Sequence, residues 1–167
     1  MPYLKKISFD DSEKIYEMLQ EIDANDNGFH NKVNGMTYAE FLDWLKQEND
    51  FNNGINLLNW MVPQSSFWLF KDDTPIGVGR IRHYLNDSLQ ETGGHIGYAI
   101  RKTQRGKGYG KKILGLLIEE CKKLNIESVQ VGTNVDNIYS NKVILHNGGI
   151  WFKENNRKNF YHINLAE

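Results

Sequence analysis

One short stretch, QRGKGYGKK at residues 104–112, restricts what this chain can fold into more than any other. Three glycines alternate with Lys107 and Tyr109, and four cationic side chains surround them. Upstream, GGHIGYAIR (93–101) alternates as a strand does; downstream, Ile113, Leu114, Leu117, Cys121 and Leu124 recur at helical spacing. Strand, bare backbone and helix start together form a device for aiming main-chain N–H groups at an anion. Glycine permits the close approach and the left-handed conformations such a turn needs. The first turn of a helix leaves its amides unpaired, and its dipole favours negative charge. Arg101, Lys102, Arg105 and Lys107 add positive charge where a phosphate would rest. The stretch reads as a pyrophosphate cradle.

The two commonest phosphate motifs do not fit. G-x-x-x-x-G-K-[ST] fails because neither the glycine spacing nor the closing hydroxyl is present. G-x-G-x-x-G fails in both registers: Gly106 and Gly108 lead to Lys111, and Gly108 and Gly110 lead to Ile113. What remains is R-x-x-G-x-G, formed by Arg105, Gly108 and Gly110.

The rest of the chain supplies the frame. A first strand is expected over 3–9, with Asp10, Asp11 and Ser12 as capping types before a helix carrying Ile15, Met18, Leu19 and Ile22. Residues 24–36, with four asparagines and two glycines, read as a loop, and Thr37 caps a second helix through Leu45. SFWLF (66–70) and IGVGRIRHYL (76–85) form a hairpin around KDDTP, and 93–101 is the fourth strand. The third helix is 109–124, a fifth strand is SVQVGTN (128–134), a fourth helix spans 136–147, and 150–152 with 160–165 close the fold as a hairpin. The expected class is α/β of the α+β type: one domain over 1–167, a single mixed, mostly antiparallel sheet flanked by helices.

Composition removes several alternatives. Hydrophobic residues at 40% and charged residues at 25% are ordinary for a globular domain of this length. The net charge of −1 lacks the basic excess of a nucleic-acid binder. The one cysteine, Cys121, forms no intramolecular disulfide and suits a reducing compartment. The start, MPYLKKISFD, has no signal-peptide core, and ILGLLI (113–118) is too short to cross a bilayer. A cytoplasmic protein without membrane or nucleic-acid partners is expected.

The segment IGYAIRKTQRGKGYGKKIL resembles the coenzyme A-binding motif of the GNAT superfamily of N-acetyltransferases, Q/R-x-x-G-x-G/A between the fourth strand and the third helix. NVDNIYSNKVILHNGGIWF (134–152) resembles that superfamily's second motif. The resemblance covers nearly the whole chain and implies an acetyl-CoA-dependent transfer to a primary amine by direct attack on the thioester. It implies that the amides of Arg105, Gly106, Lys107, Gly108, Tyr109 and Gly110, with Lys111, hold the pyrophosphate. It further implies that the fourth and fifth strands splay, leaving the backbone of Tyr98, Ala99, Ile100 and Arg101 to pair with pantetheine, and that Asn137 and Ser140 contact the same arm. No metal enters this chemistry. The acceptor would be a small-molecule or peptide amine, and a homodimer is an expectation that the family brings. The alternative is a non-catalytic coenzyme A-binding or regulatory module.

That alternative arises from a departure. Many family members carry a tyrosine four residues before the terminal glycine of the second motif, and here that position is Ile144. Tyr139 is expected to pack elsewhere, being roughly 100° around the helix from Ser140. Candidate bases are Glu91 and His95, at the start of the fourth strand, and His83 at the end of the third, with Asn86 nearby.

Other features read as structural. DANDNG (23–28) begins like a calcium loop, but its twelfth position is Asn34 rather than glutamate. The five histidines show no metal-binding spacing. Cys121 is expected as a buried thiol, and Trp44, Trp60, Trp68 and Trp151 as core or pocket wall, with Trp60 and Met61 facing the acceptor.

Overall fold

Alternation along 64–82 builds the centre of the molecule. In the computed structural model, which describes residues 1–166, Gln64–Lys71 (β4) and Thr74–Arg82 (β5) form the predicted hairpin. Tyr3–Lys6 (β1) pairs outside β4, and Ile96–Ile100 (β6) pairs outside β5, giving the order β1-β4-β5-β6. Ser128–Asn134 (β7), Ile150–Asn155 (β8) and Lys158–Asn164 (β9) make a second ladder, β7-β9-β8. Every paired ladder is antiparallel. The expected mostly antiparallel sheet is present, and its fourth and fifth strands, β6 and β7, part as expected, so that it falls into two ladders.

Both faces are covered by helices whose apolar spacing required it. Tyr109–Lys123 (α4) seats Ile113, Leu114, Leu117 and Cys121 against Leu69, Ile81 and Ile100, joined by Val143 and Ile144 of Ile138–His146 (α5). On the other face Ser12–Gln20 (α1) and Tyr38–Asn52 (α2) bury Ile15, Met18, Leu19, Phe41 and Leu45 against Trp68, Phe70 and Val78. Each such side chain contributes roughly 1.5–3 kcal/mol of transfer free energy. Thr37 and Glu40 form a reciprocal capping box at the start of α2.

Several expectations change. The loop at 24–36 contains a small ribbon, Asn25–Asp26 (β2) with Phe29–His30 (β3), anchored by buried Phe29, Asn31 and Val33. The loop after β5 holds a short helix, Asp87–Thr92 (α3), capped by the Asn86 side chain. β1 ends at Lys6 rather than 9, and Asp11, at φ 57°, makes no side-chain cap. Leu124 falls past the end of α4 and is exposed. Trp68 is core and Trp44 packs against the same cluster as a half-buried side chain, whereas Trp60 and Trp151 are exposed.

Candidate active site

The two ladders touch at one point. The His95 N–H donates to the Gln130 carbonyl at 2.8 Å, and the Gln130 N–H donates back to His95 Nδ1 at 2.9 Å. Gly94 makes this approach possible, because a Cβ there would overlap the Gln130 carbonyl oxygen. Beyond that vertex β6 and β7 diverge around a cavity of about 700 Å³.

The ladder decides which backbone groups face the cavity. The Arg82 N–H donates to His95 O and the Arg101 N–H to Ile76 O, so the alternating bonds of the β5–β6 pair fall on odd-numbered residues of β6. The main-chain groups of Tyr98 and Ile100 therefore point into the wedge. Those of Ala99 are spent on β5, and Arg101 donates its N–H to β5 while its carbonyl accepts from the Gln104 N–H, which corrects half of the expected pantetheine-facing set.

At the far end, the glycine turn has the geometry that its composition requires. Gly106 and Gly108 have φ of 78° and 83°, and a Cβ on either would meet nothing within 4 Å. Gly108 is the N-cap of α4, and the first intrahelical bond is Lys112 N–H to Gly108 O, so the amides of Tyr109, Gly110 and Lys111 are free. Arg105, Gly106, Tyr109 and Gly110 line the cavity; Lys107 bonds Gln104 on the rim, and Lys111 is exposed. Asn137 and Ser140 line it from α5, and the Tyr98 hydroxyl meets Ser140 Oγ at 3.3 Å. Burial pushes the Tyr98 hydroxyl above its ordinary pKa, so it stays protonated.

The cationic side chains of the turn are largely engaged. Glu21 holds the Arg101 guanidinium, with Nε at 2.8 Å, and also accepts from the Thr103 amide and hydroxyl. Arg101 is thus a brace for the turn rather than a phosphate contact. Lys102 pairs with Asp23, and Arg105 pairs with Asp26 while its Nε donates to Ile100 O at 3.0 Å. The acids of the calcium-like loop are consumed by the basic turn.

The three candidate bases are not gathered at the wedge. His83, at 2.8 Å from Ser65 Oγ, and Glu91, beside Lys153 and Asn155, line a second pocket behind the vertex. His95 borders both pockets, but its Nδ1 lone pair is occupied by the Gln130 amide, leaving the proton of the neutral ring on Nε2. Burial holds His95 and His83 below the usual histidine range. None of the three therefore stands ready to take a proton from an amine in the wedge.

Other placements were not foreseen. Tyr139 lines the cavity, its Cε1 3.1 Å from where a Cβ on Gly110 would stand. Ile144 is fully buried in the core, so no tyrosine could reach the cavity from it without displacing packing. Trp60 and Met61 do not line the cavity; Arg80, Arg82 and Lys158 do. Two of these had a sequence signal: in GRIR (79–82) the arginines alternate onto one face of a strand.

A model of the acetyltransferase (GNAT) domain matches residues 3–150. The chain belongs to the GNAT acetyltransferase family. No curated protein matches the sequence. Among solved structures, the microcin self-immunity acetyltransferase MccE in complex with acetyl-CoA and AMP superposes with a TM-score of 0.70 at 16% identity, over 98% of this chain and 92% of that one. The Campylobacter jejuni N-acetyltransferase PseH in complex with acetyl coenzyme A gives 0.61 at 15%, over 99% and 100%. A Salmonella typhimurium acetyltransferase that modifies the N-terminal serine of a 50S ribosomal subunit protein gives 0.67 at 13%, over 99% and 95%. These GNAT likenesses establish the fold, and the family model makes the chain a GNAT-type acetyltransferase.

Proposed function

We propose that the protein transfers an acetyl group from acetyl-CoA to the primary amine of a small-molecule or peptide acceptor. The observation that carries this is the coincidence of two features in one cavity. A wedge offers the main chain of Tyr98 and the N–H of Ile100, whose carbonyl already accepts from Arg105 Nε, and a positive-φ glycine turn leads into the free amides at the start of α4. Together they fit a long ligand with an amide-bearing arm and a pyrophosphate. The acetyl-CoA complexes of two fold neighbours support the same assignment.

Bound acetyl-CoA supplies an activated acyl carbon. In the overall reaction, the acceptor nitrogen bonds to that carbon, the carbon–sulfur bond breaks to release CoA as its thiolate, which takes up a proton from water, and the nitrogen loses its extra proton. This chain's residues bind and orient. The amides of the turn hold the phosphates, Asn137 and Ser140 border the arm, and the Tyr98 hydroxyl, kept protonated by burial, shares a hydrogen bond with Ser140 Oγ beside it. With His95 committed to Gln130, the amine's proton leaves to water. A cytoplasmic setting agrees with the reduced, buried Cys121.

The test is a thermal-shift titration with acetyl-CoA beside CoA, NAD and ATP. Ligand at a hundredfold its Kd adds about 2.7 kcal/mol, a shift of several degrees at this chain length. Stabilisation by acetyl-CoA and CoA alone is expected. Equal stabilisation by ATP, or none by CoA, would remove the assignment.

A further inference from the structure

The end of the cavity away from the glycine turn is cationic. Arg80 and Arg82 reach it from one face of β5, about 7 Å apart along the strand. Lys158 reaches it from the start of β9. Among the described residues none of the three is in an ion pair. The cavity's own carboxylate, Asp26, is paired with Arg105. Glu48, hydrogen-bonded to Gln64 at 3.4 Å, does not line the cavity and forms no ion pair with Arg80.

Structural duties use only part of these side chains. Arg80 donates one N–H to His30 O and lies over the Phe29 ring at 4.2 Å, fixing the β2–β3 ribbon. Arg82 donates one to Gly94 O at 3.0 Å, at the vertex. Lys158 reaches Thr92 O at 3.3 Å. A guanidinium has five donors, so most of theirs are unspent. The only buried side-chain polar atom without a partner in the described residues is Trp68 Nε1, so the spare guanidinium nitrogens are not sealed in the interior, and both arginines line the cavity. Burial pushes both arginines below their ordinary pKa, opposed at Arg80 by the nearby Glu48 carboxylate and reinforced there by the charge of Arg82, and a bound anion would relieve the remaining cost.

These cations are not placed for the pyrophosphate. Arg82 pairs with the level of His95, six residues and roughly 20 Å along β6 from Arg101, where the glycine turn begins.

Resting on the acetyltransferase reading, we propose that Arg80, Arg82 and Lys158 form an oxyanion-binding subsite, so that the acceptor is an amine that also bears a carboxylate or phosphate. The subsite has a second consequence. Neighbouring cations disfavour an ammonium group, so a bound amine loses its proton more readily, in a site where no histidine or glutamate is positioned to take it. Polyamines and other polycations are excluded by the same charge.

The experiment uses the full chain, saturated with acetyl-CoA, and matched amines: glycine against glycinamide, O-phosphoethanolamine against ethanolamine, and spermidine. The anionic member of at least one pair should have a kcat/KM at least about tenfold higher than its neutral partner, with the preferred pair telling carboxylate from phosphate. Arg82→Gln should raise KM for that acceptor more than it lowers kcat, while the CoA-induced thermal shift is retained. Independently of turnover, inorganic phosphate or succinate should stabilise the CoA-loaded protein beyond equimolar chloride, and Arg82→Gln should lose that increment. Preference for the neutral amines or spermidine overturns the subsite and leaves the acetyltransferase standing. So does the absence of an anion increment in the wild type, or its persistence in the variant. Loss of the CoA-induced shift in the wild type would instead remove the underlying assignment.

Discussion

Glu21, at the end of α1, grips Arg101 with one carboxylate oxygen and the amide and hydroxyl of Thr103 with the other, so a single side chain ties the first helix to the root of the glycine turn. These donors, the Arg101 guanidinium first, hold the Glu21 carboxyl down to about 2, from an ordinary value of 4.5. A carboxyl depressed by folding stabilises the fold fully above its unfolded pKa, and that contribution fades as pH falls from 4.5 toward 2. Glu21→Gln should cost about 1–2 kcal/mol at neutral pH, after allowing for solvent screening. It should also flatten the acid limb of the stability–pH curve. Denaturant titrations at pH 7 and pH 3 check both: an unchanged difference between wild type and variant at the two pH values would refute the linkage.

Gly108 takes a left-handed φ of 83° at the mouth of α4, with open space where its side chain would be. Gly108→Val imposes backbone strain of roughly 1–3 kcal/mol and puts a branched side chain where the phosphates belong. The expected outcome is a folded protein with native far-UV circular dichroism and no stabilisation by CoA. Normal CoA binding by this variant would show that the cradle is misplaced.

Local chemistry was legible in the sequence, and long-range partnership was not. The Thr37 cap, the inner face of α4 as far as Cys121 and the glycine turn are written in spacings of three or four residues, and all are present. By contrast, Arg101 reads as a phosphate ligand until its partner, 80 residues earlier, is in view. His95 reads as a base until the Gln130 amide is seen to occupy its lone pair. Helical phase alone sends Tyr139 to pack elsewhere. What phase omits is that Gly110, having no side chain, leaves room for the ring beside the cavity. The arginines of GRIR are visible as an alternation, but that both line the cavity, and that neither is in an ion pair among the described residues, exists only in three dimensions.

Cys121 sits fully buried on α4 among Leu117 and Ile118, and burial pushes its thiol up to about 12. So little thiolate exists at neutral pH that the native protein should be inert to a disulfide reagent such as 5,5′-dithiobis(2-nitrobenzoate). One thiol should titrate only in denaturant. Rapid labelling of the native protein would contradict the placement of this face of α4.

Gly94 and Gln130 set the vertex from which the wedge opens. A methyl group on residue 94 would overlap the Gln130 carbonyl oxygen, a backbone atom that cannot rotate away. Gly94→Ala should therefore separate the ladders at the point where His95 and Gln130 exchange hydrogen bonds, at a cost of about 1–3 kcal/mol. For a chain of this length that is a fall in Tm of several degrees. The functional effect should exceed the thermal one, because the wedge's width is fixed here rather than at its mouth. CoA affinity should drop in Gly94→Ala even where the protein remains folded at assay temperature. A variant that loses stability but binds CoA as the wild type does would place control of the wedge elsewhere, in the β7–β9 ladder.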